Sequence, residues 1–172
     1  MKRGYNISDL LRPLSEKPNQ VYLSNQLQVA DVLDWILAQT GTAEIWQTSF
    51  SISEEFLRRM FFISQARKVS AINLVLDFKA TQKTLKLWTF IRNVTKHTYL
   101  ADNHSKILLV RGGSSKVSVV TSQNLTRGNR HESAFISSDP ELFDTLFSQV
   151  NDLITNKSVC LDDLLGRNIK ED

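Results

Sequence analysis

Five side chains in one stretch of the sequence have the types and spacing to handle a phosphate: His104, Lys106, Ser122, Asn124 and Glu132. His104 and Lys106 lie two residues apart at the entry to a predicted strand, and the period-two geometry of a strand aims both at one side of a sheet. Ser122 and Asn124 repeat that spacing just beyond the next predicted strand. If the two strands pair as a hairpin, their outer ends lie together and the four side chains converge. Glu132 opens the following strand and can reach the same end. Lysine is a mobile cation, serine and asparagine are neutral donors, and imidazole near neutral pH is a nucleophile or proton shuttle. On a phosphate, Lys106, Ser122 and Asn124 would stabilise charge on the non-bridging oxygens while His104 attacks phosphorus. A carboxylate such as Glu132 can hold the imidazole in the right tautomer. No carboxylate cluster with metal-ligand spacing accompanies the group, so the expected route uses neither metal nor cofactor.

The stretch resembles the histidine–lysine (HKD) signature of the phospholipase D superfamily. There His-x-Lys is followed by four residues and an Asp, then by Gly-Ser-x-Asn, with a Glu downstream. His104-Ser-Lys106 matches, Ser122-Gln-Asn124 supplies the serine, spacer and asparagine, and Leu125-Thr-Arg-Gly with Asn129-Arg-His-Glu132 resembles the usual continuation. The likeness extends over residues 27–155, and the segment 104–136 is its specific part. Two positions depart: Arg111 stands at the Asp and Thr121 at the Gly. In the family the Asp supports structure away from the reacting phosphate, so Arg111 is expected to leave the chemistry possible. Thr121 adds a Cβ where glycine allows close approach, which bears on efficiency and substrate size.

The resemblance implies two such motifs per active site, and this chain has one, since neither His97 nor His131 has a lysine two residues on. It therefore implies a homodimer whose two-fold axis joins two copies of His104, as in small bacterial nucleases of the family. One His104 would attack phosphorus to give a phosphohistidine while the other protonates the leaving oxygen and then activates water. Activity should then be bell-shaped in pH, with apparent pKa values that belong to the dyad. His97 and His131 are expected to be bystanders.

These residues need a scaffold. Apolar positions Val29, Val32, Leu33, Ile36 and Leu37 predict a helix over 27–40, and a strand follows at 43–50. Ser51-Ile-Ser-Glu54 reads as a capping box opening a helix to about 67. The continuous apolar run 71–78 predicts a strand buried on both faces. A helix over 81–92 would turn Leu85, Trp88 and Ile91 inward, with Lys79, Lys83 and Lys86 on a solvated face. After a short segment around 98–100 come strands at 106–111, 116–121 and 132–137, the first two joined by the turn Gly112-Gly113-Ser114-Ser115. Asp139 as cap and Pro140 at the first position start a last helix, its stripe running through Leu142, Phe143, Leu146, Phe147, Val150, Leu153 and Ile154. The expected class is α/β, one domain with a mixed sheet flanked by helices on both faces. Residues 1–20 read as an irregular lead-in, 21–156 as the phosphodiesterase domain and 157–172 as a peripheral tail.

Composition narrows the rest. The single cysteine, Cys160, rules out an internal disulfide, puts Cys-ligated zinc out of reach and reads as a small buried apolar residue. No run approaches a membrane span and no secretory h-region follows the N-terminus, so a cytoplasmic protein without membrane engagement is expected. Between residues 58 and 130 stand fourteen Lys/Arg against two acids, while the remainder holds seven bases and sixteen acids. That polarity points to a polyanionic partner, nucleic acid and DNA before RNA, with Arg127, Arg130 and Lys116 as candidate contacts. An endonuclease is the first reading. The alternatives are a weak or inactive nucleic-acid-binding module on the same scaffold, and a hydrolase of phospholipids or small phosphodiesters.

Overall fold

The computed structural model describes residues 6–67 and 69–166. Residues 1–5 of the expected lead-in, Lys68 and residues 167–172 of the expected tail lie outside the described residues. One mixed sheet organises the rest. Its strands are β1 (Asn19–Ser24), β2 (Ala43–Ser49), β3 (Val69–Asp77), β4 (His97–Ala101), β5 (Ile107–Gly112), β6 (Ser115–Thr121), β7 (Glu132–Ser137) and β8 (Ser158–Cys160), in the order β1-β7-β6-β5-β2-β3-β4-β8. The pairs β2–β3 and β3–β4 are parallel, and every other pair is antiparallel.

Helices cover both faces, as expected. On one face α1 (Val29–Thr40), α2 (Glu54–Ala66) and α4 (Trp88–Val94) pack a large core that takes in Val32, Leu33, Ile36, Leu57, Ile91, Leu108 and Val119. On the other, α5 (Pro140–Lys157) seats Phe143 and Val150 against Trp46 and Leu109. β3 is buried at every position from Ala71 to Asp77, as its apolar run requires. The β5–β6 hairpin closes through Gly113 and Ser114, with Gly112 opposite Ser115 and Gly113 at φ 55°, a conformation suited to glycine. Among the described residues no helix is long and apolar enough to cross a membrane.

Three local readings change. The cap of α2 is Ser53, whose hydroxyl accepts from Phe56 N at 3.2 Å, and not Ser51. Ile52 is held extended in a bridge with Leu125, so the helix cannot begin two residues sooner. The helix expected over 81–92 is two helices, α3 (Thr81–Lys86) and α4, broken at Leu87 (φ −99°, ψ 2°). The break turns Leu85 out to 44% exposure while Ile91 stays fully buried. The segment expected as a peripheral tail is built into the sheet: β8 pairs with β4, and α6 (Leu161–Leu165) buries Leu161 and Asp162. Within the lead-in, Leu11 is buried and Gln20 ties down the backbone of Arg12 and Lys17, so 6–18 packs on the domain.

Candidate active site

The site lies where the parallel strands β2, β3 and β4 end, the region where irregular backbone past the strand ends can converge on a ligand. Asp77, the last residue of β3 and buried, is its anchor. Its carboxylate accepts from Lys79 N at 2.7 Å and from Asn103 N at 2.9 Å. Asn103 in turn donates to Ser49 O at 3.3 Å and accepts from Ser105 N and Oγ at 3.1 and 2.5 Å. Thr48 Oγ1 meets Ser105 Oγ at 2.8 Å and accepts from Ile107 N at 2.9 Å. Residues 103, 105 and 107 are thus fastened to the sheet. The residues between them, exposed His104 and half-buried Lys106, are left to face outward.

His104 and Lys106 come together as expected. Lys106 Nζ lies 3.5 Å from His104 Nδ1 and donates to His104 O at 2.7 Å. The Phe50 ring meets the imidazole edge to face, centroids 5.5 Å apart. Asn124 reaches the same corner, its Oδ1 accepting from Phe50 N at 3.3 Å and Ser49 Oγ at 3.4 Å. Its loop is pinned to the β2–α2 junction, where Leu125 N donates to Ser49 Oγ and Ser53 N to Leu125 O. Thr121 N donates to Lys106 O at 3.0 Å, which sets Ser122 beside the pair in the backbone.

Glu132 is placed differently. Its carboxylate accepts from the Ser122 hydroxyl, and that hydroxyl accepts from Ser133 N at 3.0 Å. The orienting bond from Glu132 to His104 is not formed within the chain; Nδ1 faces the lysine instead. Thr121 turns its hydroxyl to β7, donating to Ser133 O at 2.8 Å and accepting from Gln123 N at 3.1 Å. Arg111 is at the far end of β5, paired with Glu44 at 2.9 Å and lying over Trp46 and Phe147. The position occupied by Asp in the resembled motif is therefore away from the corner that holds His104 and Lys106.

The candidate nucleic-acid contacts separate. Lys116 is opposite Arg111 at the other end of the hairpin and paired with Asp144, so it does not border the site. Arg127 pairs with Glu55 at 3.2 Å, and Arg130 is exposed in the loop before Glu132. His131 is exposed, and His97 sits at the opposite end of β4 from the His104 loop. A concavity of about 850 Å³ between α1 and α2 is ringed by the ion pairs Arg59–Asp31 and Arg67–Asp34 and includes none of the five chemical residues. Asp77, Asn103, Ser105, Thr48 and Phe50 escaped sequence reasoning. Only the buried Asp at a strand's end and the Asn beside His104 were signals that could have found them.

No protein-family model and no curated protein matches the sequence. Among solved structures the chain is similar to Nuc, a phospholipase D family member from Salmonella typhimurium, with a TM-score of 0.61 and 16% identity over 83% of this chain and 96% of that one. It is similar to TrmBL2, an archaeal chromatin protein described as showing a novel mode of DNA binding (TM-score 0.56, 11% identity, 88% of this chain and 58% of that one). It is also similar to phosphatidylserine synthase from Haemophilus influenzae Rd KW20 (TM-score 0.53, 13% identity, 83% of this chain and 39% of that one). The chain thus spans nearly all of Nuc and less than two thirds of the other two.

Proposed function

We propose that this chain, whose fold is that of the phospholipase D superfamily, is a metal-independent phosphodiesterase and specifically an endonuclease, completed by a second copy of itself and acting in the cytoplasm. The observation that carries the reading is the His104–Lys106 pair held outward on a clamped segment, with Asn124 and Ser122 beside it. A neutral imidazole that faces an ammonium at Nδ1 carries its proton on Nε2. A phosphate oxygen that draws Lys106 to itself releases Nδ1 to take that proton, and Nε2 becomes the nucleophile. Attack forms the P–N bond and breaks the P–O bond, with the partner's His104 protonating the leaving oxygen. Water, deprotonated by the same partner imidazole, then attacks phosphorus, forming a new P–O bond and breaking the P–N bond to free His104.

Pairing has physical support besides the single motif. Val21, Phe135 and Val120 are successive neighbours across β1, β7 and β6, and with Leu23 they leave an apolar sheet face 71%, 38%, 42% and 69% exposed. Val120 sits opposite Ile107, one residue from Lys106, so a copy seated there would adjoin the site. DNA is favoured over RNA as substrate by the likeness to TrmBL2, a chromatin protein described as binding DNA, with exposed Arg130 and loop-borne Arg127 as contacts.

The test is cleavage of labelled single- and double-stranded DNA and RNA in excess EDTA. Wild type is expected to cut, and His104→Asn to lose at least about a thousandfold in rate. Tight binding of all four polymers without cleavage would instead favour a binding module. The engagement of the Thr121 and Glu132 side chains with Ser133 and Ser122 is the observation on that side. Cleavage that persists in the variant would sink the histidine mechanism.

A further inference from the structure

The last strand of the sheet gathers a second set of chemical side chains, which the reaction at His104 does not use. β8 runs antiparallel to β4, with Cys160 opposite Tyr99, and the chain turns at once into α6. That turn returns Cys160 and Asp162 beside His97, the first residue of β4. A ring nitrogen of His97, the Cys160 sulfur and a carboxylate oxygen of Asp162 all lie within 4.8 Å of one another. Cys160 Sγ and Asp162 Oδ2 are 3.9 Å apart.

The distances and donor types fit one class of ion. A tetrahedral zinc centre has metal–ligand bonds of about 2.0–2.3 Å, so its ligand atoms stand roughly 3.3–3.8 Å from each other. The sulfur–carboxylate separation is already close to that, and a ring nitrogen of the half-buried His97 lies within 4.8 Å of both. Thiolate, imidazole and carboxylate together suit a borderline-soft divalent cation, whereas magnesium and calcium take oxygen ligands throughout. Support from the surrounding structure is also in place. Thr98 N, fully buried, donates to Asp162 Oδ2 at 2.9 Å and fixes the carboxylate's direction.

A packing role accounts for less. Cys160 is half-buried, and Val159 beside it is 37% exposed. Cysteine counting set zinc aside because folding, and not sequence spacing, brings a histidine from more than sixty residues earlier to the same place.

We propose that His97, Cys160 and Asp162 form a site for a thiophilic divalent cation of the zinc class, which fastens β8 and α6 to β4. On binding, Cys160 releases its proton to solvent, and water takes the fourth position. The site is independent of the reaction proposed at His104.

Cobalt is the probe, because a cobalt–thiolate centre reports its own ligands by absorption. The full chain, reduced and freed of metal, is titrated with Co²⁺. The expected result is a thiolate-to-cobalt charge-transfer band with tetrahedral visible bands, saturating at one ion per chain at micromolar metal and abolished by Zn²⁺. Cys160→Ser should remove the charge-transfer band, and His97→Gln should weaken binding about tenfold or more. The chain has three histidines, so His104→Asn and His131→Gln complete the set and should leave the band intact. If Cys160→Ser fails to fold, His97→Gln decides, since its ring is half-buried at the edge of the cluster. Absence of the band in wild type at millimolar Co²⁺ would overturn the proposal. So would a band unchanged in His97→Gln, or one lost with His104 or His131.

Discussion

Asp77 makes two hydrogen bonds from a buried carboxylate, and one of them, to Asn103 N, holds the start of the segment that presents His104. Asp77→Ala should therefore cost roughly 2–4 kcal/mol of stability, measured by urea unfolding, because two charge-assisted bonds are lost. In a variant still folded at the assay temperature, kcat should fall more than KM rises, since the loosened segment disturbs the proposed nucleophile, His104, more than the proposed phosphate donors. The contrast between Asp77 and the five expected residues shows what was legible at this scale. His104, Lys106, Ser122, Asn124 and Glu132 occupy one short stretch, so their spacing could be read directly. Asp77, Ser49 and Phe50 reach the corner from other strand ends, and only the parallel pairing of β2, β3 and β4 brings them there. Glu132 was found, but its partner was not. The side-chain period places a residue on a side of the sheet without saying which neighbour its carboxylate will take, and Ser122 is nearer in the fold than the imidazole.

Among the elements, α2 offers a sharp comparison. Ser53→Ala should cost about 1 kcal/mol in thermal or urea unfolding, as the loss of a helix cap does, while Ser51→Ala should stay within about 0.5 kcal/mol. Both serines are residues that cap helices well, but only Ser51 has a glutamate, Glu54, at the capping-box spacing. Only the bridge of Ile52 with Leu125 and the bond from Ser53 N to Leu125 O decide between them. The same division runs through the other elements. The stripes of α1 and α5, the Asp139 cap and the double-faced burial of β3 follow from local periodicity and were legible. The break at Leu87 and the capture of 158–165 by the sheet edge depend on what those residues meet in the fold. Strand order is the clearest example, for no local pattern says that β5 pairs beside β2 or β1 beside β7.

At the scale of the molecule, folding neutralises a good part of the basic block. Arg59, Arg67, Arg111 and Lys116 pair with Asp31, Asp34, Glu44 and Asp144, all acids from outside the block, as Arg58 and Arg127 do with Glu54 and Glu55. Nucleic-acid binding should then depend on salt less steeply than the linear charge suggests. In anisotropy titrations of His104→Asn with a short DNA duplex, log K against log salt should have a slope of about −2 to −4. Arg130→Gln should flatten that slope by about 1, and Arg111→Gln should leave it unchanged. The sheet's order has a further result for how the chain acquires its structure. Among the described residues β1 finds its only partner in β7, more than a hundred residues later, and the two enclose all but one of the other strands between them in sequence. A ribosome must therefore deliver most of the polypeptide before its first strand can pair. Refolding should be slow for a chain of this size, because the ends of a long loop have to meet before their contacts reward them, and until β7 emerges the unpaired backbone edge of β1 is a natural client for a holding chaperone.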